Sequence, residues 1–258
     1  MIGRQVSLPV LPERIISLVP SQTELLYHLG LGHKVVGKTV FCIHPNPENK
    51  NAENVGGTKK VRFEKIDELQ PDLIICNKEE NSKEMVDALS EKYPVWVSDV
   101  KNVDDALNMI NHLGKILQVE NAAKSLCEDL LLSFKKPKIY RKFTSLYLIW
   151  RKPYMSVGTD TFIHHMMERG GFVNVLTQYE RYPEIDEDLM MALRPEVVFL
   201  SNEPYPFSEK HIQEIQELLP ATRIILVDGE LFSWYGNRLL NSQSYFNELQ
   251  RRIHKGIN

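Results

Sequence analysis

No G-x-S-x-G elbow, H-E-x-x-H helix or C-x-x-C pair occurs in the 258 residues, so neither nucleophilic nor zinc chemistry has a signature here. Cysteine is scarce. Cys42, Cys76 and Cys127 are odd in number, widely spaced and set among apolar residues, which argues against a disulfide framework and predicts three reduced core thiols. The formal net charge of -3 offers neither the basic excess that nucleic acid demands nor an acidic tail. No apolar run approaches the roughly 18 residues of a membrane helix. The amino terminus, MIGRQVSLPVLPERIISL, lacks the apolar stretch of a signal peptide, so the expectation is a cytosolic chain or one whose leader is not included.

What is present is an internal likeness. Residues 64–76 read EKIDELQPDLIIC and residues 188–200 read DLMMALRPEVVFL. In both, an acid (Glu64, Asp188) stands seven residues before a proline, a leucine stands two before it, and a second acid and a β-rich apolar run follow. VWVSD at 95–99 and IILVD at 224–228 each read as a strand ending in Asp. A long repeat seen only twice points to duplicated lobes and not to a solenoid. Between them lies VENAAKSLCEDLLLSF (119–134), whose apolar residues recur at three- and four-residue steps with no Gly or Pro, the pattern of one uninterrupted helix. Lys135, Lys136 and Lys138 suit its negative end and Pro137 closes it. The predicted organisation is an N-terminal α/β lobe (1–118), a joining helix (119–136) and a C-terminal α/β lobe (137–258).

Helix and strand patterns alternate in each lobe, as in parallel sheets flanked by helices. The first lobe reads as strand 14–19, a helix opened by a capping box from Ser21 to Glu24, strand 34–43, loop 46–60, helix 64–69, strand 72–76, helix 82–91, strand 94–98 and helix 103–117. The second reads as strand 145–150, helices 160–169 and 186–193, strand 196–200, helix 208–218, strand 223–227 and a terminal helix at 237–254.

Some motifs mislead. GHKVVGKT (32–39) matches the phosphate-cradling loop in letters, but that loop needs a strand before it and a helix after it, and here the order is reversed. His164 and His165 are adjacent on a helix and point about 100° apart, a poor arrangement for one metal.

In open parallel sheets ligands bind beyond the carboxyl ends of the strands. The segments expected there carry Ser21 and Gln22, Lys78 and Glu79, Trp150, Arg151 and Tyr154, Tyr205, and Glu230, Phe232, Trp234 and Tyr235. Aromatics beside charges suit a bulky ring-bearing ligand with a polar edge. Each of these aromatics could equally plug a lobe core.

The stretches RIISLVPSQTELLYHLGLGHKVVGKT (14–39), FEKIDELQPDLII (63–75), the joining helix and SVGTDTFIHHMMERGGFVNVL (156–176) resemble the substrate-binding proteins of iron-siderophore and cobalamin uptake transporters, nearest the cobalamin branch. The resemblance implies two α/β lobes held by a stiff helix, with ligand between them. It implies a monomer that needs no cofactor of its own, whose ligand brings any cobalt or iron. It also implies that Glu64 and Asp188 dock onto arginines of an ABC transporter permease. Phe41 fits an aromatic position of the cobalamin site, whereas two others are occupied here by Thr58 and Asn77. A cytosolic enzyme or sensor on the same fold is the alternative, since a fold does not dictate a function.

Overall fold

The computed structural model describes residues 6, 8, 10–135 and 137–256. Part of the stretch read for a leader and Lys136 of the basic tail lie outside the described residues. The chain divides into two compact units. One comprises the described residues up to Val100, Asp104–Leu130 and Tyr235–Asn237; the other comprises Lys101–Val103, Leu131–Trp234 and the described residues from Arg238 on.

The first unit contains β1 (Ile15–Ser17), α1 (Pro20–His28), β2 (Val35–Lys38), β3 (Glu53–Asn54), α2 (Phe63–Leu69), β4 (Leu73–Asn77), α3 (Lys83–Ser90), β5 (Val95–Ser98), most of α4 (Val103–Ile116) and the start of α5 (Glu120–Ser133). Its sheet has the order β3-β2-β1-β4-β5, and every pairing is parallel. β1, β4 and β5 are buried throughout, which is why they read as unbroken apolar runs. Ile16, Leu18, Ile74, Cys76, Val95 and Val97 share one core with Met85, Val86 and Leu89 of α3.

The second unit contains β6 (Phe143–Leu148), β7 (Tyr154–Met155), α6 (Phe162–Arg169), β8 (Phe172–Asn174), β9 (Glu184–Ile185), α7 (Glu187–Leu193), β10 (Val197–Ser201), α8 (Glu209–Leu218), β11 (Arg223–Val227), α9 (Glu230–Ser233) and α10 (Leu239–Lys255). Its main sheet is parallel in the order β11-β10-β6-β8, and β7 and β9 form a small antiparallel ribbon. The two main sheets are thus separate and built to one plan: β1, β2, β4 and β5 correspond to β6, β8, β10 and β11.

The repeated acid-to-proline spacing has a physical cause. α2 and α7 each run seven residues and end in a left-handed cap, Gln70 at φ 46° and Arg194 at φ 44°. Pro71 and Pro195 follow and cannot continue a helix. The next residue brackets the first strand of its own sheet. Asp72 donates its amide to Arg14 O at 3.0 Å and accepts from the Glu13 and Arg14 amides at 2.7 and 2.9 Å. Glu196 does the same at Thr144, donating to its carbonyl at 3.0 Å and accepting from its amide at 2.9 Å. A left-handed conformation strains any residue with a Cβ, so Arg194→Gly, at an exposed position, is expected to stabilise the protein by about 0.5–1 kcal/mol in urea denaturation.

Three local expectations change. α1 has no capping box: Val19 is its N-cap without a side-chain bond, and Pro20 at the first position opens the helix instead. The strand expected over 34–43 ends at Lys38, where Cys42 N returns to Thr39 O and the Cys42 carbonyl is held by Lys38 Nζ and Asn49 Nδ2, so Val40, Phe41 and Ile43 leave the sheet exposed. The loop expected over 46–60 contains a short 3-10 turn and β3. The letters GHKVVGKT do follow α1 as a turn and the strand β2, with no α-helix directly after them to meet a phosphate. All three cysteines are free and buried.

Candidate functional site

Both main sheets are parallel, so each has one edge where all strands end, and that edge gathers the loops able to recognise a ligand. Two open hollows, of ≈ 510 and ≈ 840 Å³, lie elsewhere: they are lined by Arg14 and Val35 in the first unit and by Phe143, Val197 and Arg223 in the second, at strand starts.

In the first unit the strand ends are tied together by amides. Asn77, the last residue of β4, accepts from the Glu79 and Glu80 amides at 2.7 and 3.3 Å and donates to Ser98 O at 3.2 Å. Its own amide donates to Asn81 Oδ1 at 2.8 Å, and Asn81 Nδ2 reaches Leu18 O and Thr58 O. Asn77 and Thr58, the two non-aromatic departures from the cobalamin pattern, are buried struts that set the loops, so Thr58 is not an open ligand contact. Gln22 is fully enclosed, donating to Ser98 Oγ at 2.5 Å, and Ser21 is buried in the first turn of α1. Lys78 pairs with Asp99 at 2.8 Å, and Lys59 donates to the Glu79 carbonyl at 2.6 Å. Burial pushes the neighbouring Glu80 carboxyl up, with Lys59 opposing and Glu79 adding to the effect. Phe41 is different: it is 58 % exposed, and its ring lies beside Gly57.

In the second unit Trp150, just past β6, is 40 % exposed and meets the Tyr205 ring edge-on at 5.6 Å. Arg151 and Tyr154 are turned to one carboxylate on α8. Arg151 Nε donates to both oxygens of Glu214 at 2.9 and 3.0 Å, its Nη2 lies 2.8 Å from Oε2, and the Tyr154 hydroxyl donates to Oε1 at 2.5 Å. The Arg151 hydrogen bonds hold the Glu214 carboxyl below its usual range. Glu230 pairs with Arg238 at 2.8 Å, and that guanidinium lies 4.9 Å from the Trp234 ring centre. Trp234 is buried, as is Tyr235, which belongs to the first unit, and Phe232 is wholly enclosed, with aromatic neighbours around it. His164 is buried with Asn174 Nδ2 at 3.2 Å from Nδ1, and His165 Nε2 accepts from Arg169. Among the described residues no group of three His, Cys, Asp or Glu is placed to hold a metal.

Of the residues expected at the site, then, Phe41 and Trp150 present a bare ring at a strand end, one in each unit. Sequence reasoning missed Tyr179. It lies past β8, the strand that matches β2, so it occupies the place in the second unit that Phe41 has in the first. It is 39 % exposed, its carbonyl accepts from the Thr159 amide, and Gly158 lets the loop approach, since a Cβ there would come within 2.6 Å of the Tyr179 carbonyl oxygen. His211 and Glu214 were missed as well, because on α8 they read as ordinary polar positions.

Two separate parallel sheets built to one plan, each gathering loops at its strand ends, form an α/β frame of the kind that holds small molecules at those ends. The periplasmic binding protein family model matches residues 15–223, and the chain belongs to that family. It is similar to the vitamin B12-binding protein of Pectobacterium atrosepticum, at 33% identity over 241 residues, covering 89% of this chain and 85% of that protein. Its fold is shared by the crystal structure of the periplasmic vitamin B12 binding protein BtuF of Vibrio cholerae (TM-score 0.77, 23% identity, 96% of this chain and 100% of that one). The same holds for the periplasmic heme-binding protein RhuT of Roseiflexus sp. RS-1 (TM-score 0.78, 19% identity, 94% and 98%).

Proposed function

We propose that this chain is a solute-binding protein that captures a planar metal chelate of the cobalamin or haem kind and delivers it to an ABC transporter. The observation that carries this is the exposure of Phe41, Trp150 and Tyr179 at the carboxyl ends of parallel strands, beside charged loops. A flat macrocycle offers large apolar faces to such rings and polar edges to the charged loops, and the chelate brings its own metal. The names of the relatives, which bind vitamin B12 or haem, support the same class. Capture needs only that these contacts outweigh the entropy lost on binding, which preset loops reduce.

Glu64 and Asp188 fit the expected role of docking onto basic groups of a permease. Each is the second residue of its seven-residue helix and each is exposed.

A thermal-shift screen of the whole chain with vitamin B12, cobinamide, haemin and ferric siderophores tests the proposal. A true ligand at 100 times its dissociation constant is expected to stabilise by about 2.7 kcal/mol, and no shift with any of them would refute the reading. In the same assay Glu64→Lys and Asp188→Lys should keep the shift, because docking and capture are separate.

A further inference from the structure

We propose that His211 is a positioning residue of the ring site: its imidazole holds the Tyr205 hydroxyl, and Tyr205 sets the angle of the exposed Trp150 indole on which a planar ligand rests. Only the last clause rests on the function proposed above.

The tautomer of His211 follows from its neighbours. The Ser208 backbone N–H donates to Nδ1 at 2.9 Å, and the Ser208 hydroxyl lies 3.2 Å from the same nitrogen. An amide N–H can only donate, so Nδ1 is bare and the proton of the neutral ring sits on Nε2. Nε2 lies 3.3 Å from the Tyr205 hydroxyl oxygen and donates to it, and the Arg151 side chain bonds the same residue, so His211 shares the hold on Tyr205. The Tyr205 ring is boxed edge-on by Phe207 at 4.8 Å and His211 at 5.5 Å, and its amide donates to the Ile149 carbonyl, one residue before Trp150. With those directions fixed, the remaining side of Tyr205 meets Trp150 at 5.6 Å and 70°.

Protonating His211 would place a second N–H at Nδ1, facing the Ser208 amide, donor against donor. The groups around the ring agree. Burial lowers its basicity first, then Lys210 on its own helix and Arg151 from the loop after β6, while Glu214 one turn on and the Ser208 backbone act in the opposite direction. Tyr205 and Phe207 complete the surround from the preceding loop. A base whose proton affinity is depressed stays neutral at neutral pH and charges only below the ordinary imidazole range. Protonation leaves the Nε2–H in place and removes only the Ser208 amide bond to Nδ1 that seats the ring, so the support under Trp150 is firm at neutral pH and loosens at its Ser208 side as pH falls through the depressed His211 titration.

Trp150 can be followed directly, because Trp96 and Trp234 are buried. Acrylamide quenching of the full chain, with Trp150→Phe as the baseline, reads its freedom without any ligand. His211→Ala and Tyr205→Phe are each expected to raise the quenching of Trp150 at neutral pH and to erase its rise on acidification. His211→Gln keeps a donor near the hydroxyl and cannot titrate, so it should restore the neutral-pH value with no acid step. Affinity for haemin, the probe chosen, should fall by about fivefold in Tyr205→Phe, the weight of one hydrogen bond. Unchanged Trp150 quenching at every pH in both His211→Ala and Tyr205→Phe, even with a lower melting temperature, would overturn the proposal. If His211→Ala does not fold, Tyr205→Phe, which deletes one oxygen, decides alone. A wild-type chain that ignores haemin and vitamin B12 while these quenching changes occur would refute the proposed ligand class and leave the positioning role standing.

Discussion

Phe232→Ala is expected to destabilise the protein by about 3–5 kcal/mol, the range for emptying a full aromatic from a packed core. Phe232 looked from sequence like one of several rings at a strand end. It is instead fully buried, with its ring centroid 5.0 Å from that of Tyr147, 5.8 Å from Phe199 and 4.8 Å from Phe246. It reaches them because α9, a four-residue helix directly after β11, turns the side chain inward. Phe199 and Tyr147 lie on the central strands β10 and β6, so the hole would open at the centre of the second unit and neighbours fixed in strands could not close it. Urea denaturation followed by far-UV circular dichroism measures the loss. A change under about 1 kcal/mol, the size expected of an exposed position, would contradict the burial.

Trp150→Ala and Phe41→Ala should behave in the opposite way. Each ring is exposed, so its removal is expected to leave unfolding within about 0.5 kcal/mol of the parent. In titrations with whichever of vitamin B12 or haemin shifts the parent protein, each is expected to weaken binding by about 10- to 100-fold, or roughly 1.4–2.7 kcal/mol, as for aromatic anchors in binding sites. Loss of affinity at constant stability marks a recognition residue, and loss of stability first marks a core residue. If both variants bind the ligand as tightly as the parent, the strand-end aromatics are not the seat.

The contrast between these variants shows what could be read from the chain and what could not. The repeat was visible because its cause is local: a seven-residue helix, a left-handed cap, a proline and an acid that grips the adjacent strand start all fall within a short stretch. Strands β1, β4, β5, β6, β10 and β11 were visible for a related reason, since burial on two faces writes itself as an apolar run, whereas the short edge strands β3 and β8 were not. Which aromatics face inward was not visible, because Phe232 and Trp150 occupy similar contexts in sequence and differ in partners from other elements, Tyr147 and Phe246 for the one and Tyr205 for the other. Arg151 and Tyr154 looked like ligand contacts until Glu214, some sixty residues on, was seen to hold both. The end of β2 misled for another reason. Val40, Phe41 and Ile43 have strand-forming side chains, yet hydrogen bonds to the Cys42 carbonyl fold that segment out into solvent.

The carboxylates of Asp72 and Glu196 grip the first strand of each sheet at its starting edge, opposite the loops that carry Phe41, Trp150 and Tyr179. Within each sheet, anchorage and the proposed recognition loops therefore occupy opposite rims. Loops can be exchanged like cassettes at one rim without loosening the other, so grafting the segments 39–43 and 177–182 from a relative with a different cargo is a direct route to retuning what this receptor carries.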